Sequence, residues 1–182
     1  MHSWRFRMFA AARAARRGGV VLYPTEGVWG LGCDPQATGA IEQVLRLKHR
    51  PADKGLILLA ADSAALAPWA VEQAIPPQPE DPRATTWIVP ARRRCPSLLR
   101  GKHRHLAVRI TRHPPTAALC RAAGGVLVST SANRSGLQPP RNRWAALRQW
   151  GPKVDGFSLA PLGGQHRPSR IFDTVSGAWI RL

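Results

Sequence analysis

Five short apolar runs constrain this chain more than any other feature. They read "VVLYP" (20–24), "GLILLA" (55–60), "TTWIVPA" (85–91), "HLAVRI" (105–110) and "GVLVSTS" (125–131). Each has strand length and is bounded by Gly, Pro or polar residues, and the first is rich in β-branched residues. Strands apolar at nearly every position are buried on both faces, so helices must cover the sheet. The intervening segments supply them. The first helix runs from the N-terminus to Gly18-Gly19, with Trp4, Met8, Ala11, Ala12 and Ala15 at helical spacing. A second spans 38–50, where Ile41, Val44 and Leu45 share a face, Thr38 can cap the start and Pro51 stops the end. Ser63 caps a short helix to about Val71. Another covers 114–124, with Pro at its start and Gly at its end, and a last one covers roughly 141–150. The tail "SRIFDTVSGAWIRL" alternates as a hairpin around Ser176-Gly177. Not every strand is followed by a crossover helix. The expected fold is therefore α/β, a twisted mixed sheet with flanking helices.

With 182 residues and no repeat or low-complexity block, the chain reads as a single domain over 1–182. "EQAIPPQPEDP" (72–82) reads as a surface loop. The basic N-terminal segment lacks the continuous apolar core of a signal peptide, and no segment approaches transmembrane length. Cys33, Cys95 and Cys120 are widely spaced, with no zinc pattern and no disulfide framework, which fits a reducing cytoplasm.

Lys plus Arg number 27 against 10 Asp plus Glu, for a net charge of +17. That balance favours polyanions such as RNA, DNA or phosphorylated small molecules. Walker A, GxGxxG, HExxH and GxSxG patterns are all missing. Acids are scarce, and Glu26 is the only one inside an otherwise apolar segment, so paired-carboxylate chemistry is disfavoured. "GVWGLG" (27–32) is Gly-rich without the spacing of a phosphate fingerprint; its glycines serve either tight turns and close packing or a ligand. "LKHRPADKG" (47–55) holds Lys48, Arg50 and Lys54, and is either a helix end with cations complementing the dipole or a polyphosphate grip. Lys48 and Arg50 stand two apart and share no helical face, so a common ligand requires the helix to end beside them. "VLVSTSANRSG" (126–136) runs a buried strand into Ser129, Thr130, Ser131 and Asn133. These side chains either hold phosphate and ribose oxygens or satisfy the backbone of a turn.

Taken together, "YPTEGVWGLGCDP", "LKHRPADKGLILLA", "LAVRITRHP", "LVSTSANRSG" and "PSRI" resemble, in order and spacing, the YrdC/TsaC family of threonylcarbamoyl-AMP synthases. The resemblance covers the chain from about Ala10 to its end, in the family's short bacterial form. It implies a YrdC-like fold with a large basic concave cavity. It implies that L-threonine, bicarbonate or CO2, and ATP give L-threonylcarbamoyladenylate and pyrophosphate. The product would pass to a threonylcarbamoyl transferase complex that modifies tRNAs reading codons that begin with A. The family's KxR…SxN signature maps onto Lys48, Arg50, Ser131 and Asn133 as catalytic residues. Lys54, Ser129 and Thr130 join them in holding ATP, while Thr25, Thr86 and Arg109 match positions near threonine. Mg2+ is expected through the ATP phosphates, without a protein-built metal site, and the expected location is the cytoplasm, with tRNA as a further partner. Two departures stand out. The family's PGPxT turn reads "PRATT" (82–86) here, and YPTET or YPTEA reads YPTEG, so Gly27 leaves a side chain out beside the threonine side. The charge also suits a different class, a non-catalytic protein binding double-stranded RNA or tRNA.

Overall fold

The computed structural model describes residues 3–77, 83–165 and 167–182; the last part of the loop expected over 72–82 lies outside them. The described chain forms α1 (Ser3–Arg16), β1 (Val21–Pro24), β2 (Trp29–Cys33), α2 (Thr38–Lys48), β3 (Ile57–Ala60), β4 (Thr85–Pro90), α3 (Ser97–Arg100), β5 (His105–Ile110), α4 (Pro114–Ala122), β6 (Val126–Ser131), α5 (Arg143–Trp150), β7 (Gly156–Phe157), β8 (Arg170–Asp173) and β9 (Ala178–Arg181). The strands make one nine-stranded sheet in the order β7-β1-β2-β6-β3-β5-β4-β8-β9. It is mixed, as expected. β3/β5, β4/β8 and β1/β7 are parallel, and the remaining neighbours are antiparallel.

Strand alternation sends successive side chains to opposite faces. On one face Leu22, Trp29, Leu31, Leu58, Val108, Val126 and Val128 pack with Ile41, Val44 and Leu45 of α2 and with Ala146 and Trp150 of α5. Burial of each large α2 side chain there contributes about 1.5–3 kcal/mol. On the other face Tyr23, Leu59 and Leu127 pack under Met8, Ala11, Ala12 and Ala15 of α1 and Leu119, Cys120 and Ala123 of α4. That cover is partial. On the same face Ile57, Ile88, Ala107, Ser131 and Ile171 remain half-buried.

Several expectations shift. The "WGLG" part of "GVWGLG" lies in strand β2, after a bend at 26–28, and the two strand glycines serve close packing. A Cβ on Gly32 would sit 2.0 Å from the Val128 carbonyl oxygen and 2.9 Å from the Tyr23 hydroxyl, and one on Gly30 would sit 3.1 Å from the Tyr23 ring. The helix expected after Ser63 is only a 3-10 turn over Ala64–Leu66, where Asp62 Oδ1, not Ser63, accepts from the Ala65 N–H at 3.0 Å. Thr38 is the first helical residue, and Ala37 before it provides no side-chain cap. α5 starts at Arg143 because Asn142 Oδ1 accepts from the Ala145 N–H at 2.9 Å. The short α3 was not evident in the sequence. It matters because the Leu99 carbonyl at its end accepts from the Leu56 N–H at 2.8 Å and seats the start of β3. The tail hairpin forms as expected, with Gly177 at φ 70° in its turn. All three cysteines are free and buried. No helix among the described residues is long and apolar enough to cross a membrane.

Candidate functional site

The end of α2 and the end of β6 meet, and Lys48 joins them. Lys48 is the last residue of α2 and only 3% exposed. Its ammonium donates to the Asn133 carbonyl at 2.8 Å and to the Ser131 carbonyl, while the Ser135 N–H returns a bond of 2.9 Å to the Lys48 carbonyl. Burial, then the neighbouring Arg50 charge, push the Lys48 amine down to about 8. Two of its three N–H groups are thus spent on backbone oxygens, and one is left to point elsewhere.

Arg50 follows a sharp change of direction. His49 is exposed and adopts φ 50°, ψ 45°, the left-handed conformation, so the helix stops between the two cations. The Arg50 guanidinium then folds over its own loop: Nε and Nη2 donate to the Gly55 carbonyl at 3.1 and 2.9 Å, and Nη2 to that of Lys54 at 3.2 Å. Burial lowers its pKa, and Asp53 opposes that shift. Lys54 closes the 3-10 turn Ala52–Lys54 with its side chain exposed.

At the end of β6, Ser129 and Ser131 share the partly open face, and alternation turns Thr130 to the opposite one. Asn133 Nδ2 donates to the Arg134 carbonyl at 3.0 Å and to that of Leu137 at 2.6 Å, which fixes the amide's orientation. Its Oδ1 is buried without a hydrogen-bond partner, an uncommon state for a polar atom. A cavity of about 340 Å³ is lined by Trp29, Asn142 and Leu159 among others and by none of Lys48, Arg50, Ser131 and Asn133; Trp29 belongs to the face that packs against α2 and α5.

Thr25, Thr86 and Arg109 form a second group. Thr25 closes the β1–β2 connection, its hydroxyl donating to the Val28 carbonyl at 2.8 Å. The Thr86 hydroxyl is buried against that of Ser169 at 3.1 Å. Arg109 pairs across the sheet with Leu59 and shares the face of Ser129, so alternation brings it to the partly open side. Its Nη2 lies 3.4 Å from Glu26 Oε2, both side chains being nearly buried at 12% and 8% exposure.

The residues surrounding that pair carry no catalytic motif in the sequence. Glu26 Oε1 accepts from the Thr111 hydroxyl at 2.6 Å, and the same hydroxyl oxygen accepts from the His113 N–H at 3.2 Å. His113 Nδ1 lies 2.7 Å from the Thr116 hydroxyl, which itself donates to the Pro24 carbonyl. With its proton spent on Pro24, the Thr116 hydroxyl can only accept from Nδ1, and the Pro161 backbone also bonds the His113 ring. Burial raises the Glu26 carboxyl; Arg109 and the Thr111 hydroxyl more than offset it, and the pKa ends below its ordinary 4.5. Burial lowers that of His113 against the pull of Glu26. A strap then closes over this corner, with the Gly163 N–H donating to the Thr25 carbonyl at 3.0 Å and Gln165 N–H to that of Glu26 at 2.8 Å. The strap explains Gly27: a Cβ there would lie 2.6 Å from the Gln165 carbonyl oxygen. In the altered turn, the Ala84 N–H donates to Gln165 Oε1 at 3.1 Å and its carbonyl accepts from the Arg170 N–H at 2.9 Å; Pro82 lies outside the described residues.

The class is thus a mixed-sheet α/β protein with hydroxyl, amide and cationic groups gathered at strand and helix ends. The family profile for Sua5/YciO/YrdC, described as "Telomere recombination", matches residues 13–181, and the chain belongs to that family. It is 48% identical to the threonylcarbamoyl-AMP synthase of Halorhodospira halophila over 180 residues, covering 97% of this chain and 94% of that one. It is also 48% identical to the protein of that name from Methylococcus capsulatus over 181 residues, covering 97% of each. Among solved structures, P. abyssi Sua5 complexed with L-threonine superposes with a TM-score of 0.80 at 25% identity. That match covers 92% of this chain and 51% of Sua5, so this chain corresponds to about half of it. E. coli YciO shares the fold, with a TM-score of 0.73 at 22% identity over 93% of this chain and 84% of its own.

Proposed function

We propose that this protein joins L-threonine, bicarbonate or CO2, and ATP into L-threonylcarbamoyladenylate, releasing pyrophosphate. The observation that carries the reading is the junction built by Lys48, where the cationic end of α2 is clamped to the Ser131–Asn133 strand end. Relatives named for this activity, alike over nearly their whole length, support it. So does the likeness to a Sua5 structure complexed with L-threonine.

In this reaction the threonine amine adds to CO2 and loses a proton, forming a carbamate. A carbamate oxygen then bonds to the α-phosphorus of ATP as the bond to the bridging oxygen breaks, and pyrophosphate leaves with that electron pair. Charge builds on phosphoryl oxygens, so the protein's task is positioning and cationic stabilisation. Lys48 offers its third N–H, and Arg50 the Nη1 edge not used by its loop. The Ser131 hydroxyl and Asn133 Oδ1 orient the nucleotide, with Ser129 and Lys54 beside them, whereas the Thr130 side chain lies on the opposite face of β6 and is not placed at the nucleotide. Thr25, Thr86 and Arg109 form the threonine side, where the Arg109 guanidinium suits a carboxylate. Mg2+ fits this donor set through Asn133 Oδ1, a hard oxygen left without a partner, and it would neutralise triphosphate charge. Among the described residues no three His, Cys, Asp or Glu side chains converge, so the phosphates would supply most of its ligands. We place the whole chain, residues 1–182, in the cytoplasm as one catalytic unit that feeds a threonylcarbamoyl transferase complex acting on tRNA.

Threonine-dependent pyrophosphate release in the presence of ATP, bicarbonate and Mg2+ tests the reading. Lys48→Ala and Arg50→Ala are expected to abolish it while the circular dichroism spectrum stays native. Wild-type turnover in both variants would remove these residues from the mechanism.

One surface favours RNA as a second ligand. α1 has no acid in its first turn and exposes Arg5, Arg7, Arg13 and Arg16 beside Phe6 and Phe9. Tight, salt-sensitive tRNA binding without threonine-dependent pyrophosphate would favour the binding protein over the enzyme.

A further inference from the structure

Arg109 has a built-in partner that the substrate reading leaves unused. A buried guanidinium on a sheet face can rotate about several bonds, and a ligand held by one of its edges is held only as well as the group itself is fixed. Here one edge is held by an ion pair that forms no hydrogen bond. Glu26 Oε2 sits 3.4 Å from Nη2, and Glu26 is itself held through Oε1 by the Thr111 hydroxyl at 2.6 Å. Thr111 is anchored in turn, its hydroxyl oxygen accepting from the His113 N–H at 3.2 Å, and the strap's Gln165 N–H holds the Glu26 carbonyl. Glu26 follows Thr25 directly in the chain, so both halves of the threonine side hang on one short segment.

We propose that Glu26 is a positioning residue, which holds the Arg109 guanidinium so that its remaining edge receives the carboxylate of the amino-acid substrate, with Thr111 holding Glu26. The inference rests on Arg109 lying on the threonine side. Glu26 touches no reacting atom. Its Oε2 is buried, and its effect reaches the substrate through Arg109. A carboxylate suits this position because it supplies a charge to Arg109 and an acceptor to Thr111, whereas a neutral amide keeps the shape and loses the charge. Burial of an ionised pair costs desolvation, so the pair contributes geometry more than stability.

The test compares wild type, Glu26→Gln, Glu26→Asp and Thr111→Val in steady-state pyrophosphate release, with L-threonine and ATP varied separately. L-threonine binding is followed in parallel by calorimetry. Glu26→Gln is expected to raise KM and Kd for L-threonine about tenfold, while KM for ATP and kcat stay within about threefold of wild type. Preference for L-threonine over L-threoninol, which lacks the carboxylate, falls by a similar factor. Glu26→Asp, which keeps the charge, recovers part of the loss, and Thr111→Val shows an intermediate loss without altering the charge of either partner. Equal losses in both KM values and kcat, or an unchanged threonine KM in a folded Glu26→Gln protein, overturn the inference. If Glu26→Gln does not fold, Thr111→Val decides by the same threonine-against-ATP comparison. Failure of wild type to release threonine-dependent pyrophosphate overturns the functional reading and this inference together, whereas an active wild type with an indifferent Glu26→Gln overturns the inference alone.

Discussion

Replacing Arg109 by Met removes the cation and keeps the aliphatic stem. It leaves Glu26 as a carboxylate at 8% side-chain exposure with the Thr111 hydroxyl as its hydrogen-bond donor. Breaking a buried ion pair from one side typically costs about 3–5 kcal/mol, because the remaining charge is desolvated without compensation. In a domain of this size each kcal/mol moves Tm by about 2–4 °C, so a fall of roughly 6–20 °C is expected. The loss must also depend on pH. In wild type the folded Glu26 pKa lies below its ordinary 4.5, so its contribution is complete above that value and is lost as pH falls through the lower, folded one. Without Arg109 the largest lowering influence is gone, and burial, opposed only by the Thr111 hydroxyl, a backbone hydrogen bond and His113, moves the folded pKa upward. The penalty is then full at neutral pH and is relieved as Glu26 takes up a proton in acid. Urea denaturation of both proteins at pH 7 and near pH 4 measures the gap, which should be widest at pH 7 and narrow in acid. A gap under about 1 kcal/mol at pH 7, or one that does not change with pH, would refute the claim that Glu26 and Arg109 are a coupled buried pair.

Lys48→Met strips the donor from the Ser131 and Asn133 carbonyls, so amide exchange at Ser135, which bonds the Lys48 carbonyl, should accelerate as turnover is lost. Lost turnover with unchanged Ser135 protection would show that Lys48 acts on substrate alone. Because burial and Arg50 push this amine down to about 8, turnover should decline as pH rises past that value, and a flat alkaline limb contradicts it. Gly32→Ala places a Cβ 2.0 Å from the Val128 carbonyl oxygen and should cost at least about 3 kcal/mol in denaturant, more than an ordinary overpacked site; a loss under 1 kcal/mol would deny the close approach. His49→Gly relieves a left-handed residue at about 1–2 kcal/mol and adds chain entropy of about 0.5–1 kcal/mol, so Tm should rise by a few degrees; a fall would contradict the strained C-cap.

The five apolar runs revealed the strands because their length and apolar character mark them even where one face is only half-buried, as at Ile57, Ile88 and Ala107. The hairpin and the mixed sheet followed from turn chemistry and missing crossovers. β2 was hidden because its glycines look like a loop, and the Tyr23 ring over Gly30 and Gly32, with the Val128 carbonyl against Gly32, explains them. The helix expected after Ser63 did not form because a short apolar stretch cannot say whether one turn propagates into a second. In the candidate site, the end of α2 between Lys48 and Arg50 was legible from Pro51 and from their spacing. The use of the Lys48 ammonium on backbone carbonyls was not, since sequence shows which donors exist and not which acceptors fold beside them. Glu26 carried a signal that was set aside. A lone acid in an apolar segment requires a buried partner, and Arg109 in "HLAVRI" is the matching lone cation. The strap over 163–165 left no such mark, because its backbone bonds to Thr25 and Glu26 need no particular side chain.

The central claim concerns the product. Incubation of the protein with L-threonine, ATP, Mg2+ and isotope-labelled bicarbonate, followed directly by mass spectrometry, should show L-threonylcarbamoyladenylate carrying the label in its carbamoyl carbon, in step with pyrophosphate. An unlabelled or threonine-independent adenylate, or none, would contradict the account.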